Sequence, residues 1–431
     1  MIALFKRIVV FLLTWEARLV LARHKPQIIA VTGSMGKTTT KDAIFAALVA
    51  GGLHARKSEK SFNSEIGVPL TVLGCDNAWN NPILWAWNIL RGLVVIAAPS
   101  YPKWLVLEVG ADRPGDIETT ARWLRPDVAV FTGIPDVPVH VEYFDSPRAV
   151  VREKKRLAAH LKPGGLVILN GDDANLASLR TEYADACITY GVSSRFEYTA
   201  LGYEIRYERD TPVGIGFSAV HDRESVRVTL DGAIGYPRVY AGLAALAAAG
   251  VAGVPLVRAA EGLAAWEPQP GRLRLLKGIK GSIIIDDTYN SSPAAAFAAL
   301  DTLGSIRTAG TRIAVLGDML ELGRFSSDSH RELGTRAAQS AGMLVTVGFR
   351  SRAAAEAARD AGMRDEQVRQ YDQGESAHAG KELEPDIREG DVILIKGSQG
   401  MRMERAAEEL MAEPERAADL LVRQGKEWER R

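Results

Sequence analysis

The sequence is poor in cysteine and carries no excess of charge of either sign. Only Cys75 and Cys187 occur among 431 residues, so no disulfide framework is implied and a reducing compartment fits. Lysine plus arginine and aspartate plus glutamate each total 53, which gives a net charge of zero. Because no long basic run occurs either, nucleic acid is a poor candidate partner.

Long uninterrupted apolar runs are also missing at the beginning of the chain. Residues 2–22 are apolar but interrupted by charges, and the longest unbroken run is Ile8 to Leu13. That run is far shorter than the ~20 residues needed to span a bilayer. A secretory signal is not expected, because a phosphate-loop pattern follows at once. We therefore expect residues 1–25 to form an amphipathic helix, which either packs on the protein or lies on a membrane surface.

A second apolar stretch, residues 79–98, contains Trp79, Trp85 and Trp87 and a single charged residue, Arg91. It predicts a helical hairpin or one apolar helix, inserted at about 76–102 before the next strand. Two interpretations remain open. The stretch either packs against residues 1–22, or forms with them a patch that faces a membrane or a partner.

Elsewhere, strand and helix patterns alternate along the chain, which predicts an α/β protein with largely parallel sheets. Residues 196–230 alternate apolar and polar side chains, as an antiparallel addition would. A segment rich in proline and glycine, residues 266–272, marks a domain boundary. We expect a central P-loop-type domain over 26–270, a Rossmann-like domain over 271–412 and a charged C-terminal helix over 413–431.

The most informative stretch is I-I-A-V-T-G-S-M-G-K-T-T-T at 28–40, which reads as strand, glycine-rich turn and helix. Val31 stands where a full P-loop pattern has its first glycine, so the motif is the shorter G-x-x-G-K-T. Lys37 is expected to reach the β- and γ-phosphate oxygens, and the Thr38 hydroxyl to bind Mg²⁺. The expected phosphate-binding residues are Gly33, Ser34, Met35, Gly36, Lys37, Thr38 and Thr39.

Polar residues that follow the next strands are further candidates. Glu108 ends a buried strand, and open α/β sheets place working residues at the carboxyl ends of strands. It is therefore a candidate Mg²⁺ ligand beside the phosphates. His140 follows the next strand in the same way. Asn63 lies in a polar loop whose side chains can line a nucleotide or substrate cleft.

Together, these motifs resemble the Mur ligase family over about residues 26–412, in the family's order. The resemblance rests on V-T-G-S-M-G-K-T-T-T at 31–40, N-S-E-I-G-V-P at 63–69, L-E-V-G-A at 107–111, His140 with Glu142, P-G-R-L at 270–273, D-D-T-Y-N-S-S-P at 286–293, L-G-D-M-L-E-L-G at 316–323 with His330, and I-K-G-S at 395–398. Any one of these motifs is weak, whereas eight in register are specific.

The resemblance implies an ATP-dependent amide ligase. ATP would phosphorylate the carboxylate of an acceptor peptide, and an amine would then displace the phosphate. The motifs at 286–293 and 316–323 point to the member that adds D-alanyl-D-alanine to a UDP-N-acetylmuramoyl tripeptide in peptidoglycan precursor synthesis. The alternatives are a family ligase acting on a different, lipid-linked or membrane-held acceptor, and a nucleotide-binding module without catalysis.

The resemblance also assigns roles to individual residues. Thr38 and Glu108 would hold one Mg²⁺, and His140 a second, together with a carbamylated lysine at Lys154. A carbamate has carboxylate-like oxygens, which suit Mg²⁺. The remaining expected roles are phosphate contact for Arg272, ribose contact for Asp287 with Tyr289 beside it, and substrate contact for Asn290, Lys396 and Ser398.

The sequence departs from the family pattern at two places. Pro237, Arg238 and Ala241 stand where the family's nucleotide-binding helix has a His-Asn pair and a second Asn, so adenine recognition must differ or be weaker. About 25 residues precede the central domain, where the family usually has a UDP-gripping domain of about a hundred residues. We expect a cytoplasmic monomer, with peripheral contact at the inner face of the membrane through 1–22 and 79–98 as an open alternative.

Overall fold

The computed structural model describes residues 2–58, 61–193, 195–425 and 428. They form two α/β units that meet at the turn-rich segment 266–272. The first unit contains, in chain order, α1 (Ile2–His24), β1 (Gln27–Thr32), α2 (Lys37–Ala50), β2 (Ala55–Lys57), α3 (Gly67–Leu73), α4 (Pro82–Ala97), β3 (Trp104–Glu108), α5 (Asp116–Leu124), β4 (Val128–Phe131), α6 (Pro147–Ala159), β5 (Leu166–Asn170), α7 (Ala177–Glu182), β6 (Cys187–Gly191), β7 (Tyr198–Glu208), β8 (Thr211–His221), β9 (Glu224–Asp231), α8 (Tyr236–Val251) and α9 (Leu256–Ala264).

The sheet of the first unit has the strand order β2-β3-β1-β4-β5-β6-β7-β8-β9. Pairing is parallel from β2 to β7 and antiparallel from β7 to β9. The predicted antiparallel addition is therefore confirmed, and it extends the same sheet. The central strand β1 is buried from Ile28 to Thr32, which explains its continuous apolar sequence.

The second unit contains β10 (Arg274–Lys277), β11 (Ile283–Asp287), α10 (Pro293–Ser305), β12 (Arg312–Gly317), α11 (Ser326–Ser340), β13 (Met343–Val347), α12 (Arg352–Asp360), β14 (Val368–Tyr371), α13 (Ser376–Leu383), β15 (Val392–Lys396), α14 (Glu404–Leu410) and α15 (Ala417–Leu420). Its strand order is β10-β11-β15-β12-β13-β14, and only the β10–β11 pair is antiparallel among the described strands. This mostly parallel sheet with helical crossovers confirms the predicted α/β fold class.

The two apolar segments near the N-terminus are single helices, α1 and α4, so the hairpin interpretation of residues 79–98 was wrong. Both bury one side in the same core, which includes Leu13 and Val20 of α1 and Trp85 of α4. Asn81 caps α4, because its side-chain oxygen accepts hydrogen bonds from the first-turn N–H groups of Ile83 and Leu84. No helix within the described ranges is both long and apolar enough to cross a membrane.

The long charged helix expected over 413–431 does not form within the described part of that segment. A single 3₁₀ turn, Pro414–Arg416, and the short helix α15 are followed by irregular chain. Tertiary contacts fix this tail, because the buried Arg423 guanidinium donates to Glu404 Oε2 at 2.7 Å and to the Tyr289 carbonyl at 3.0 Å. The rest of the predicted helix, residues 426–427 and 429–431, lies outside the described residues.

Candidate active site

A cavity of about 850 Å³ lies between the two units, at the carboxyl ends of the strands of the first sheet. Parallel register explains why its polar residues meet, because Val31 pairs with Glu108 and Thr32 with Phe131. Most of the expected site residues line this cavity: Ser34, Met35, Gly36, Lys37, Thr38, Thr39, Asn63, Glu108, His140, Arg272, Asp287, Tyr289, Asn290 and Lys396. Gly33, Lys154 and Ser398 do not line it.

The glycine-rich turn is held against the end of β4. Gly33 has a φ of +146°, and a Cβ there would lie 2.0 Å from Thr132 Oγ1, so only glycine fits. The N–H groups of Ser34 and Met35 donate to the Gly133 carbonyl at 2.7 and 3.3 Å, and therefore do not point at a phosphate. The first turn of α2, whose N–H groups have no helical acceptors, offers the free donors that a phosphate would need. Thr132 and Gly133 are site residues that our sequence analysis missed.

Thr38 and Glu108 bring their side-chain oxygens together beside the glycine-rich turn. The Thr38 hydroxyl donates to Glu108 Oε2 at 2.8 Å, and Asn63 Nδ2 donates to Glu108 Oε1 at 3.1 Å. Glu108 is only 2% exposed, so little water reaches its carboxylate. The two hydrogen bonds therefore fix the orientation of this carboxylate. A hydroxyl and a carboxylate are hard oxygen ligands, and this pair fits the Mg²⁺ that the sequence implies.

His140 takes partners from both units. Its backbone is left-handed, with φ 63°, which turns the ring toward the cavity. Its Nδ1 lies 2.6 Å from Glu321 Oε2 of the second unit, and its Nε2 lies 3.5 Å from Asp112 Oδ1. The close contact with His140 lowers the pKa of Glu321 below its usual range. Asp112 and Glu321 were not predicted as site residues, although Glu321 lies in the L-G-D-M-L-E-L-G motif at 316–323.

Lys154 is buried on α6 beside the site, with 2% of its surface exposed. Burial, together with the nearby Lys37 charge, lowers the pKa of its ammonium to about 7. Among the described residues, none pairs with it through an ion pair or a hydrogen bond. The neighbouring Lys155 points elsewhere and donates to Ser178 Oγ at 2.7 Å. Of the two adjacent lysines, only Lys154 therefore has the shielded position that carbamylation requires.

The second unit contributes groups expected to hold the nucleotide and the substrate. Arg272 Nη2 donates to Thr38 Oγ1 at 3.3 Å, and its guanidinium lies 3.9 Å from the centre of the Tyr289 ring. Lys396 Nζ donates to Asp287 Oδ2 at 2.7 Å and to the Asn290 carbonyl at 2.9 Å. The contact between Lys396 and Asp287 follows from the register of β11 and β15, which pairs these two residues.

Two other residues named from the motifs have structural contacts. Ser398 Oγ accepts a hydrogen bond from Leu320 N at 2.8 Å, so it supports a loop behind the cavity wall. His330 is buried, and its Nε2 accepts a hydrogen bond from Met319 N at 3.0 Å. Burial lowers the pKa of His330, which keeps its ring neutral in this role.

Arg238 is the most unusual residue of the cavity wall. It is buried, and its guanidinium lies 4.5 Å from the centre of the Trp266 ring. Its Nε and Nη2 have no hydrogen-bond partner among the described residues. Arg238 lies in the first turn of α8, where the helix dipole disfavours a cation. This unfavourable position is the sequence signal that could have marked Arg238 as a site residue.

Comparison with known proteins agrees with this geometry. Residues 31–249 match the Mur ligase middle domain, and residues 271–399 match the family described as Mur ligase, glutamate ligase domain. The UDP-N-acetylmuramoyl-tripeptide--D-alanyl-D-alanine ligase of Bacillus subtilis is 30% identical over 389 residues, which cover 90% of this chain and 76% of the relative. The Escherichia coli enzyme of that name is 28% identical over 346 residues, covering 79% and 68%.

Solved structures show the same fold. MurF ligase from Thermotoga maritima in complex with ADP superimposes with a TM-score of 0.75 at 25% identity, covering 93% of this chain and 83% of that one. MurF from Acinetobacter baumannii has a TM-score of 0.75 at 24% identity, covering 92% and 79%. The cavity thus lies where two matched ligase domains meet. The chain belongs to the Mur ligase family of ATP-dependent peptide ligases.

Proposed function

We propose that this chain joins the amine of D-alanyl-D-alanine to the terminal carboxylate of a UDP-N-acetylmuramoyl tripeptide, as the names of its relatives describe for them. One observation carries the proposal: a phosphate loop from one unit and Arg272, Asp287 and Lys396 from the other line the same cavity. At about 850 Å³, it lies within the range of ligand sites in enzymes, about 300–1,000 Å³.

The first step transfers the γ-phosphoryl group of ATP to a carboxylate oxygen of the acceptor and releases ADP. Lys37, the N-terminus of α2 and Arg272 supply positive charge where the transferring oxygens lie. When bound, Mg²⁺ would neutralise phosphate charge, held by Thr38 and Glu108 at one position and by His140 and Lys154 at the other.

The second step makes the amide. The free amine attacks the acyl carbon, the C–O bond to phosphate breaks, and the nitrogen loses a proton while inorganic phosphate leaves. Phosphorylation is needed because a carboxylate repels nucleophiles and has no good leaving group. The residues that hold the phosphoryl group in the first step then stabilise the departing phosphate.

We also propose that Lys154 is carbamylated in the working enzyme. Its neutral amine would attack CO₂, forming an N–C bond and losing a proton, and the product would carry a negative charge. The support is its burial, its lowered pKa and the absence of any pairing partner among the described residues. A carbamate on this side chain would place hard oxygens beside Lys37, whose pKa is also lowered by burial.

A second candidate acceptor is a muramoyl peptide held on a lipid. The observation that favours it is the apolar outer surface of α1 and α4, which lies in the same unit as the phosphate loop. Since α1 packs on α3, and Asn63 lies just before α3, this surface is structurally connected to the catalytic side of the unit.

The deciding experiment measures ADP release with each substrate omitted in turn. ADP release that requires both the acceptor and D-alanyl-D-alanine supports ligation, and mass spectrometry should show the amide product. The acceptors compared are the soluble UDP-linked tripeptide and its lipid-linked counterpart. Lys37→Ala should abolish turnover, because the phosphoryl group then lacks its closest cation. Release of ADP without either substrate, or full activity of Lys37→Ala, would contradict the proposal.

A further inference from the structure

Helices α1 and α4 expose an unusual number of large apolar side chains. Ile83, Val94 and Phe11 are the most exposed, at 77%, 69% and 67% of their surface. The set, which we call the α1–α4 surface, consists of Phe5, Ile8, Phe11, Trp15 and Leu19 on α1 and Ile83, Leu84, Trp87, Leu90, Leu93 and Val94 on α4.

Packing of the two helices accounts for only one side of each. Leu13, Ala17 and Val20 of α1 and Trp85 of α4 are buried in a common core, so the opposite sides face outward. The helices contact each other directly, since His24 Nε2 lies 3.1 Å from the Val95 carbonyl and Gly92 faces the Glu16 carboxylate. Helices that are apolar on both the buried and the outer side need a second apolar environment.

The exposed charged residues of α1 and α4 are all basic. Lys6, Arg7, Arg18, Arg23 and Arg91 are all exposed, whereas their one acid, Glu16, is buried. Among the described residues, none forms an ion pair with Arg7, Arg18 or Arg23. The excess is local, because the whole chain has a net charge of zero. An apolar surface rimmed by unpaired cations complements an anionic lipid headgroup layer.

We propose that the α1–α4 surface lies on an anionic phospholipid bilayer, with both helices in the plane of the interface. Insertion across the bilayer is not part of the proposal, because no helix in the described ranges could span it. Trp15 and Trp87 are of the residue type that prefers the boundary between headgroups and acyl chains. A second copy of this chain is a poorer occupant, because its own cations would meet these at the contact. The proposal concerns docking alone and holds for either candidate acceptor.

The test is flotation of the purified full-length chain with vesicles. One set is pure phosphatidylcholine, and the other contains about 30% phosphatidylglycerol. Wild type should float with the anionic vesicles, at least about tenfold better than with neutral ones, and about 0.5 M NaCl should weaken this binding. The variant Ile83→Ser/Trp87→Ser/Val94→Ser should lose about tenfold or more of the binding. All three side chains are exposed, so the fold should survive, which far-UV circular dichroism checks.

Two further variants make the result specific. Val257→Ser/Phe349→Ser removes exposed apolar side chains that are not on α1 or α4, and should float like wild type. Arg7→Gln/Arg18→Gln/Arg23→Gln should lose the preference for anionic vesicles. Failure of wild type to float, or equal flotation of wild type and the α4 variant, would overturn the proposal. So would a dimer in sedimentation velocity that the α4 variant dissociates, because the occupant would then be a second copy.

Discussion

Burial separates residues that the sequence makes look alike. Lys154 and Lys155 are adjacent in a run of charged residues, yet one is buried beside the site and the other donates to Ser178 at the surface. The motif order of the family pointed to Lys154, but its burial on α6 is a property of the packed fold. The fold likewise buries Arg238 in the cavity wall, a position that its sequence neighbours do not show.

We predict that Lys154→Ala loses most ligase activity, by about 10²-fold or more, because the site loses the anionic group expected on that side chain. Added formate or acetate should restore part of the rate, since a small carboxylate can occupy the vacated space and supply hard oxygens. The measurement is ADP release at saturating substrates, with and without the carboxylate.

Lys155→Ala is the matched control, because it removes the neighbouring ammonium from a position that faces away from the site. It should keep near wild-type activity and show no response to carboxylate. Full activity of Lys154→Ala, or rescue that is equal in both variants, would show that Lys154 is not the site lysine.

Between elements, the contact of α1 with α4 depends on a glycine and a buried acid. A Cβ at Gly92 would lie 2.1 Å from Glu16 Oε2, so only glycine leaves room there for the Glu16 carboxylate. Glu16 Oε2 has no hydrogen-bond partner among the described residues, and burial raises the pKa of Glu16 to about 7. The protonated carboxyl therefore suits this contact, and ionisation opposes it.

This acid gives the helix pair a pH dependence with a definite sign. Because the folded state raises the pKa of Glu16 from 4.5 to about 7, the folded chain binds more protons between those values. Stability should fall as pH rises through that window and stay lower above it. Glu16→Gln should remove the effect, so its advantage over wild type should be larger at pH 8 than at pH 4.5, by roughly 1–2 kcal/mol.

Urea unfolding at the two pH values measures this difference. Glu65→Gln is the control, because Glu65 is exposed and pairs at 2.8 Å with the equally exposed Lys6, an interaction worth little in water. An advantage of Glu16→Gln that is the same at both pH values would mean that folding does not raise the pKa of Glu16.

At the scale of the whole molecule, the site exists only where the two units meet. Arg272 of the connecting segment reaches Thr38 in one unit and stacks on Tyr289 in the other. His140 and Glu321 add a second contact across the same cavity. Holding two reactants in the right relative position in this way accounts for a large part of catalysis in a two-substrate reaction.

We predict that Arg272→Ala lowers kcat by about 10²-fold and leaves the urea midpoint nearly unchanged. The guanidinium is half-buried at the cavity wall, so its loss removes a cation from the reacting phosphate more than it removes packing. Steady-state ADP release and urea unfolding of the same preparation measure the two quantities.

Arg272→Lys refines this test. It keeps the charge but not the planar fork or the stacking on Tyr289, so its kcat should lie between those of wild type and Arg272→Ala. Unchanged kcat and KM for ATP in both variants would show that Arg272 does not reach the nucleotide.

The sequence alone determined the motifs and the fold class. The phosphate-loop motif is local, because Gly33, Gly36, Lys37 and Thr38 lie close together in the chain. Their expected chemistry depends only on a turn before a helix. Alternating strand and helix patterns likewise predict parallel sheets. They can be recognised in the sequence because the spacing of apolar residues is set within each short segment. The charged segment after Pro414 shows the limit of this reasoning, since charge pattern suggested a helix where tertiary contacts hold an irregular tail.

Only the tertiary structure decided which distant residues act together. Strand register places Glu108 beside the phosphate loop, and the meeting of two units brings Glu321 to His140 and Arg272 to Thr38. It also decided that Trp85 is buried while Trp87 is exposed, although both lie in one apolar run. Burial and proximity depend on how the elements pack, and no stretch of sequence contains that information by itself.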